Sequence, residues 1–561
     1  MNIFEQFGEA LTIAAEKPAL VSGLGKQRRV VSFASLDERV DGVVSNFAKN
    51  GLRPGDKILV AVPLSIETYV VMLATLKAGM VVMFVDPGQP VSQIARILRK
   101  HPPAALVGTK SMHWFRYLLP ELRKIPRRFV VGKKANGAIT ICTDEYRGRA
   151  QPVIARSSAD SAMLTFTSGT GGSPKAVVRT HGFLREQLAM LSRVAPAQNG
   201  DIDLVAMPMF VLFNLANAMT SVIPATDMKR PGRADPRVIL QQLLSEKATR
   251  TVASPALLDR LANYSLNGGE TITDLRVIST GGGPVGPTLM RRLAAVAPNA
   301  TVKAVYGSTE AEPIAVIHNE QVSLHDEAQM REGKGLLAGR PVRGCAVRIL
   351  QAGSEQALGP FSDEAFANYC LPTGSIGEIV VSGSHVLTLY EDPVATRRNK
   401  IRVQGTVWHR TGDAGYFDDS GRLWLVGRCS AALHDRHGTV YPFQVEYAVS
   451  AVRGVRRAAL IARNNERVLV LETSGKEFRT ELVRTARCIA DNAIDRIITV
   501  RRIPVDSRHD AKIDYSALER LLDGKFARIG QFMAEVVSIC IHHCRDLFAR
   551  VQARTSAATR R

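Results

Sequence analysis

Long apolar runs are missing from this chain of 561 residues. The best stretch, 69–85, is broken by Lys77 and Gly79 and reads as helix, turn and strand, which excludes a membrane span there. Framework cysteines are missing as well. The seven cysteines fall without disulfide or metal-ligand spacing. The string from Cys540 to Cys544 looks like a zinc fragment, but it has no second ligand pair and reads as a helix face. Aromatics make up 6%, and no basic segment interleaved with them stands out, so no nucleic-acid partner is expected. Acidic residues are also in short supply, 52 against 73 Lys plus Arg, for a net charge of +21. Such a balance attracts nucleotides, acidic lipid surfaces or nucleic acid, although a generally basic proteome explains it without any partner. Glu5 and Glu9 precede the first basic residue, so no secretory signal is expected and a cytoplasmic location fits.

What remains is a folded chain, 45% hydrophobic with mean hydropathy −0.01. Its length calls for two or more domains. From residue 57 strands alternate with helices: strands at 57–64, 81–85, 104–108, 203–208, 250–253, 275–279 and 301–306, helices at 66–77, 92–100, 181–194, 236–247, 255–264 and 287–297. That alternation predicts an α/β domain of mainly parallel sheets flanked by helices. In such sheets ligands sit at the carboxyl ends of strands, and the glycine and hydroxyl clusters fall there. Beyond residue 337 short strands and turns take over, with a hairpin signal at 418–421. The reading divides the chain at 1–427, 428–523 (a small α+β domain) and 524–561, a basic amphipathic helical tail.

The stretch 164–177, LTFTSGTGGSPKAV, organises the rest. An apolar strand opens into a hydroxyl and glycine loop that ends on a lysine, the chemistry of a polyphosphate cradle. The spacing is not that of the NTPase P-loop. Further on, 306–310 (YGSTE) combines an aromatic for stacking, hydroxyls for phosphate and a carboxylate for Mg²⁺. In 409–415 (HRTGDAG), Asp413 follows a tight turn and can accept both hydroxyls of a ribose.

Together these strings resemble the acyl-adenylate-forming superfamily, which includes acyl-CoA synthetases, peptide-synthetase adenylation domains and luciferases. Gly171 stands where a threonine or serine is usual, and Ala176 where glycine is usual. The resemblance implies that Thr167, Ser168, Gly169, Thr170, Gly171, Gly172 and Lys175 cradle ATP phosphates. It implies that Gly281, Gly282 and Gly283 lie against adenine and that Tyr306 stacks on it, next to Gly307 and Ser308. Thr309 then meets the α-phosphate, Glu310 and Thr170 serve Mg²⁺, and Asp413 and Arg428 hold the ribose. Lys512, in the small domain, neutralises charge where the acyl carboxylate meets the α-phosphate; Lys512, Thr309 and Glu310 form the implied catalytic set.

Within the superfamily, 202–224, 233–239, 254–264, 306–315, 377–383, 409–428 and 504–513 look like the olefin β-lactone synthetases, whose RH-x-AKI ending matches 508–513. That branch turns a long-chain β-hydroxy acid and ATP into a β-lactone, AMP and pyrophosphate without coenzyme A. Thioester-forming relatives carry an aspartate and a lysine after the hinge, where this chain has Ser430 and His434, so a thiol-entry face is not expected. A fatty acyl-CoA ligase, which would need coenzyme A, is the alternative, and a non-catalytic acyl-nucleotide-binding protein a further one. His409 and His434 are the candidate bases for the β-hydroxyl. The tail is expected either to pack on the small domain or to dock on a membrane surface or on a partner enzyme of olefin synthesis.

Overall fold

The computed structural model describes residues 1–141, 148–167, 175–228, 231–352, 356–435, 438–473, 486, 494–505 and 513–523. Ser168, Gly169, Thr170, Gly171, Gly172, Lys512 and the tail at 524–561 lie outside the described residues.

Helix Ile66–Lys77 shows how the large part is assembled. Every residue in it except Glu67 is buried, so it is apolar all round rather than on one stripe. A helix of that kind needs cover on every side, and helix Phe33–Lys49 together with strands of two sheets provides it. The first has the strand order Ile139–Ile141, Arg127–Val131, Ala105–Gly108, Lys57–Ala61, Val81–Met83, Ser161–Thr167, Lys175–Thr180, parallel except for the last pair. The second has an antiparallel edge strand, Arg29–Ser32, followed by six parallel strands, Pro18–Ser22, Thr220–Val222, Ile202–Val205, Arg250–Ala253, Val277–Gly281 and Thr301–Ser308. It then turns antiparallel through Ala311–His318, Leu336–Pro341, Leu423–Arg428, Thr406–Phe417, Gly377–Ser382 and Ala346–Leu350. Parallel sheet is thus the rule in the first half, and the second half is an antiparallel extension of the same sheet.

Lys77, buried at the end of that helix, pairs with Asp41 and Asp37, so its charge is compensated. Tyr69 ties the helix to the second sheet by donating to the Pro208 carbonyl at 3.1 Å.

A smaller C-terminal unit follows. Strands Val455–Arg463, Glu466–Thr473 and Arg496–Val500 form its sheet, and helix Pro442–Ser450 packs on it. The helix expected at 477–490 lies outside the described residues. The unit touches the large sheet through its helix: Gln444 donates to the Gly333 carbonyl at 2.9 Å. Tyr447 fits against Gly286, where an added Cβ would stand 2.2 Å from the phenol oxygen. Among the described residues no helix is long and apolar enough to cross a membrane.

Candidate active site

Two of the three polar clusters expected at strand ends meet on the second sheet, and the third begins where the first sheet stops. Thr167 ends its strand, and its backbone pairs with Lys175 across the segment 168–174. Lys175 does not belong to the loop, as the sequence suggested; it opens strand Lys175–Thr180, antiparallel to Ser161–Thr167. The reason is non-local: KAVVRT is too short to declare itself, and its pairing with 161–167 supplies the missing order.

Thr301–Ser308 and Ala311–His318 make a hairpin whose two-residue turn is Thr309-Glu310. The tightness depends on Gly307, where a Cβ would press 3.0 Å from the Ala311 carbonyl. The neighbouring strand ends in Gly281, where a Cβ would lie 2.6 Å from the Val305 carbonyl. Strand packing alone therefore requires Gly281, whatever approaches it from outside. Gly282 takes the left-handed region at φ 76°, which turns the chain away before Gly283.

Asp413 was expected after a tight turn. It lies instead inside the long strand Thr406–Phe417, directly opposite Arg428, the last residue of Leu423–Arg428. The misreading came from Gly412 and Gly415, which here serve a bent strand rather than a turn: Gly412 has φ 71°, and the ladder shifts register between Ala414 and Gly415. Tyr306 donates to Asp413 Oδ2 at 2.9 Å, and Arg428 Nε lies 3.1 Å from Oδ1. Burial, with the Asp413 carboxylate next, pushes the Tyr306 phenol well above its ordinary range, so it stays a donor. A carboxylate offers about four acceptor sites, so two hydroxyl donors can still be accommodated.

Around Glu310 the structure adds residues the sequence did not offer. Tyr390 donates to Glu310 Oε1 at 2.9 Å, and the Leu387 N–H donates to the Glu310 carbonyl at 2.7 Å. Lys400 Nζ donates to the Leu387 carbonyl and lies 5.2 Å from the Tyr390 ring centroid; Lys175 Nζ lies 5.8 Å from the same ring. Burial pushes the Lys400 amine down to about 7, opposed by the Glu310 charge. Burial and these two lysines hold His409 neutral, and its Nδ1 faces the Asn399 carbonyl at 3.3 Å. Behind Glu310, burial pushes the Glu312 carboxyl up to about 7, opposed by Arg179. No spacing links Tyr390, Lys400 and Arg179 to Glu310; each is a lone residue far from it in sequence. His434, the other candidate base, is exposed in the hairpin after the hinge and bonds Thr439 at 3.0 Å.

The fit to a metal can be judged from the donors. Among the described residues no three acidic, histidine or cysteine side chains gather as a metal cage. One carboxylate at a hairpin turn suits Mg²⁺, which keeps its waters and takes most remaining ligands from nucleotide phosphates. A separate pocket lies between helices His181–Val194 and Phe210–Ala216 and the sheet. Leu191, Phe210, Phe213, Val252 and Val277 line it, Ser279 faces it two residues before Gly281, and Asp203 and Arg250 contribute polar groups.

Doubly wound sheets with an antiparallel extension, a smaller C-terminal unit and polar strand ends define an adenylate-forming fold, and the chain belongs to the AMP-binding enzyme family, whose pattern matches residues 8–391. It is an AMP-forming ligase or synthetase. Among relatives it is 33% identical to the olefin beta-lactone synthetase of Xanthomonas campestris pv. campestris, covering 88% of this chain and 91% of that one. It is 31% identical to the olefin beta-lactone synthetase of Stenotrophomonas maltophilia over the same shares. The fold is similar to the amide bond synthetase McbA of Marinactinospora thermotolerans, with TM-score 0.75, 21% identity, 93% of this chain and 100% of that one. It is also similar to the anthranilate CoA ligase AuaEII in complex with anthranoyl-AMP, with TM-score 0.77, 16% identity, 93% of this chain and 97% of that one.

Proposed function

We propose that the chain adenylates a long-chain β-hydroxy acid and closes the adenylate to a β-lactone. The observation that carries the nucleotide half is the convergence of Tyr306, Asp413 and Arg428 from three separate strands. In this reading the Tyr306 ring stacks on adenine, Asp413 and Arg428 take the ribose, and 167–175 takes the polyphosphate. Glu310 and Thr170 would hold Mg²⁺. The metal, when bound, neutralises charge on the phosphates and leaves the in-line geometry to the protein. Lys512 comes from the small unit, which follows Arg428, to the carboxylate and the α-phosphate.

The substrate carboxylate attacks the α-phosphorus and pyrophosphate leaves. Positioning and charge neutralisation do the work. The acyl-adenylate is a mixed anhydride, reactive enough to offset ring strain when the substrate's own β-hydroxyl attacks its carbonyl and AMP leaves. The names of the two relatives and the altered hinge positions Ser430 and His434 favour lactone closure over thioester formation. Lys400 joins His409 as a candidate for taking up the hydroxyl proton: burial weakens Lys400 as an ammonium and keeps His409 neutral, and each has one contact to a backbone carbonyl.

The test is product analysis with ATP, Mg²⁺ and a β-hydroxy fatty acid, with and without coenzyme A. β-Lactone and AMP are expected at a rate indifferent to coenzyme A. Acyl-CoA as the main product would establish the ligase reading instead.

A further inference from the structure

Residues 91–134 carry eleven lysines and arginines against a single acidic residue, Glu121, so about half of the net charge of +21 comes from this one segment. It spans the far edge of the first sheet, around strands Ala105–Gly108 and Arg127–Val131. Contrary to the sequence reading, aromatics do interleave with basic residues here. The pattern was masked because the segment also contains two buried strands.

Three large apolar side chains stand out of the surface within five residues: Trp114 is 69% exposed, Tyr117 60% and Leu118 66%. Basic groups surround them. Arg116 lies 5.1 Å from the Tyr117 ring and donates to its hydroxyl at 3.1 Å. Arg116 also donates to the Asn136 carbonyl at 2.8 Å, which fastens the loop bearing exposed Lys133 and Lys134 beside the same turn. Arg123 and Lys124 follow at the end of the next short helix, both exposed.

We propose that this patch docks the protein on an anionic phospholipid surface. Trp and Tyr suit the boundary between headgroups and acyl chains, where an apolar ring and a polar tip are both satisfied. The basic rim adds attraction to acidic headgroups. An exposed leucine between the aromatics favours lipid over nucleic acid, since stacking on bases needs flat rings and gains nothing from an aliphatic side chain. The patch also opens on the same side as the phosphate loop. Strands Arg127–Val131 and Ser161–Thr167 run in the same direction, four strand spacings apart in one sheet, or roughly 20 Å. A protein seated this way would meet a long-chain acid at the surface where such acids reside.

The chain offers its own probe. Of three tryptophans, Trp408 and Trp424 are buried, so Trp114 alone reports the surface. Full-length protein is titrated with vesicles of phosphatidylglycerol and phosphatidylcholine, with phosphatidylcholine alone, and with a single-stranded oligonucleotide. A blue shift of fluorescence is expected with the anionic vesicles only, reversed by high salt and absent from Trp114→Phe. The variant Trp114→Ala/Tyr117→Ala/Leu118→Ser is expected to keep its thermal midpoint and adenylation rate and to lose at least about tenfold in vesicle affinity. Lys133→Glu/Lys134→Glu is expected to weaken binding more at low salt than at high salt. Undiminished vesicle binding by the triple variant, no binding by the parent protein, or a shift with the oligonucleotide alone would each overturn the proposal.

Discussion

Tyr390 is the residue on which the geometry around Glu310 turns. Its hydroxyl holds Oε1, its ring is flanked by the ammonium groups of Lys175 and Lys400, and its segment holds the Glu310 backbone through Leu387. Hydrogen bonds to charged groups are worth about 1.5–3 kcal/mol. Tyr390→Phe keeps the ring and deletes the donor, so kcat/KM for ATP–pyrophosphate exchange should fall roughly 10- to 100-fold, with a higher Mg²⁺ requirement. Exchange kinetics at graded Mg²⁺ check this; an unchanged Mg²⁺ requirement would separate Tyr390 from any metal role of Glu310. At Tyr306 the two proposed functions, stacking and fixing Asp413, can be split. Tyr306→Phe should raise the KM for ATP only several-fold, since the ring remains, whereas Tyr306→Ala should raise it about 10-fold or more. Equal effects of both variants would mean the ring touches no base.

At the scale of elements, helix Pro442–Ser450 shows a buried charge with a pH consequence. Its Glu446 accepts from the Leu460 N–H at 2.8 Å and from the Tyr515 hydroxyl at 2.8 and 2.9 Å. Burial nevertheless pushes its carboxyl up to about 7. Between the ordinary carboxylate range and pH 7 the folded protein then binds more protons than the unfolded chain. Stability from this group is full at low pH and is lost as pH rises toward 7. Glu446→Gln should therefore gain on the parent protein by about 1–3 kcal/mol at pH 8 relative to pH 5. Denaturant titrations of both proteins at the two pH values decide it, and a gap that does not widen with pH would contradict the protonation argument. This carboxyl was invisible in sequence because its burial depends on Tyr515, some seventy residues on. Helix His181–Val194 falls where its apolar spacing puts it, whereas helix Ile66–Lys77 was legible from its length and from Gly79 just past its end, since it is apolar all round. Strand Lys175–Thr180 and the strand containing Asp413 were not, because pairing partners define them rather than pattern. The candidate site divides the same way. Tyr306, Glu310, Asp413 and Arg428 sit in recognisable strings, and the structure brings Tyr306, Asp413 and Arg428 together. Tyr390 and Lys400 belong to no string and emerge only from the way 387–400 folds back on the hairpin.

For the whole molecule, the proposed reaction needs the small unit to bring Lys512 to chemistry prepared on the large one. Among the described residues the seam combines polar tips, Gln444 on the Gly333 carbonyl and the Tyr447 hydroxyl against Gly286, with apolar packing of Phe443 and Tyr447 on the core of the large part and of Tyr441 against Ala414 and Val426. The nucleotide corner, by contrast, is built wholly from the large sheet, with Arg428 as its last residue. Binding of ATP and acceleration of the adenylating step should therefore be separable. Lys512→Ala is expected to slow adenylation roughly 10²- to 10³-fold, the usual effect of deleting one preorganised charge-stabilising donor, while the Kd for ATP changes less than about threefold. Single-turnover formation of the acyl-adenylate measures the first quantity and equilibrium nucleotide binding the second. Loss of both together would place the lysine in the ground-state nucleotide site and remove the need for any movement of the small unit. An unchanged adenylation rate would transfer the charge-neutralising role to a lysine already at the site, with Lys175 and Lys400 the ones to replace next.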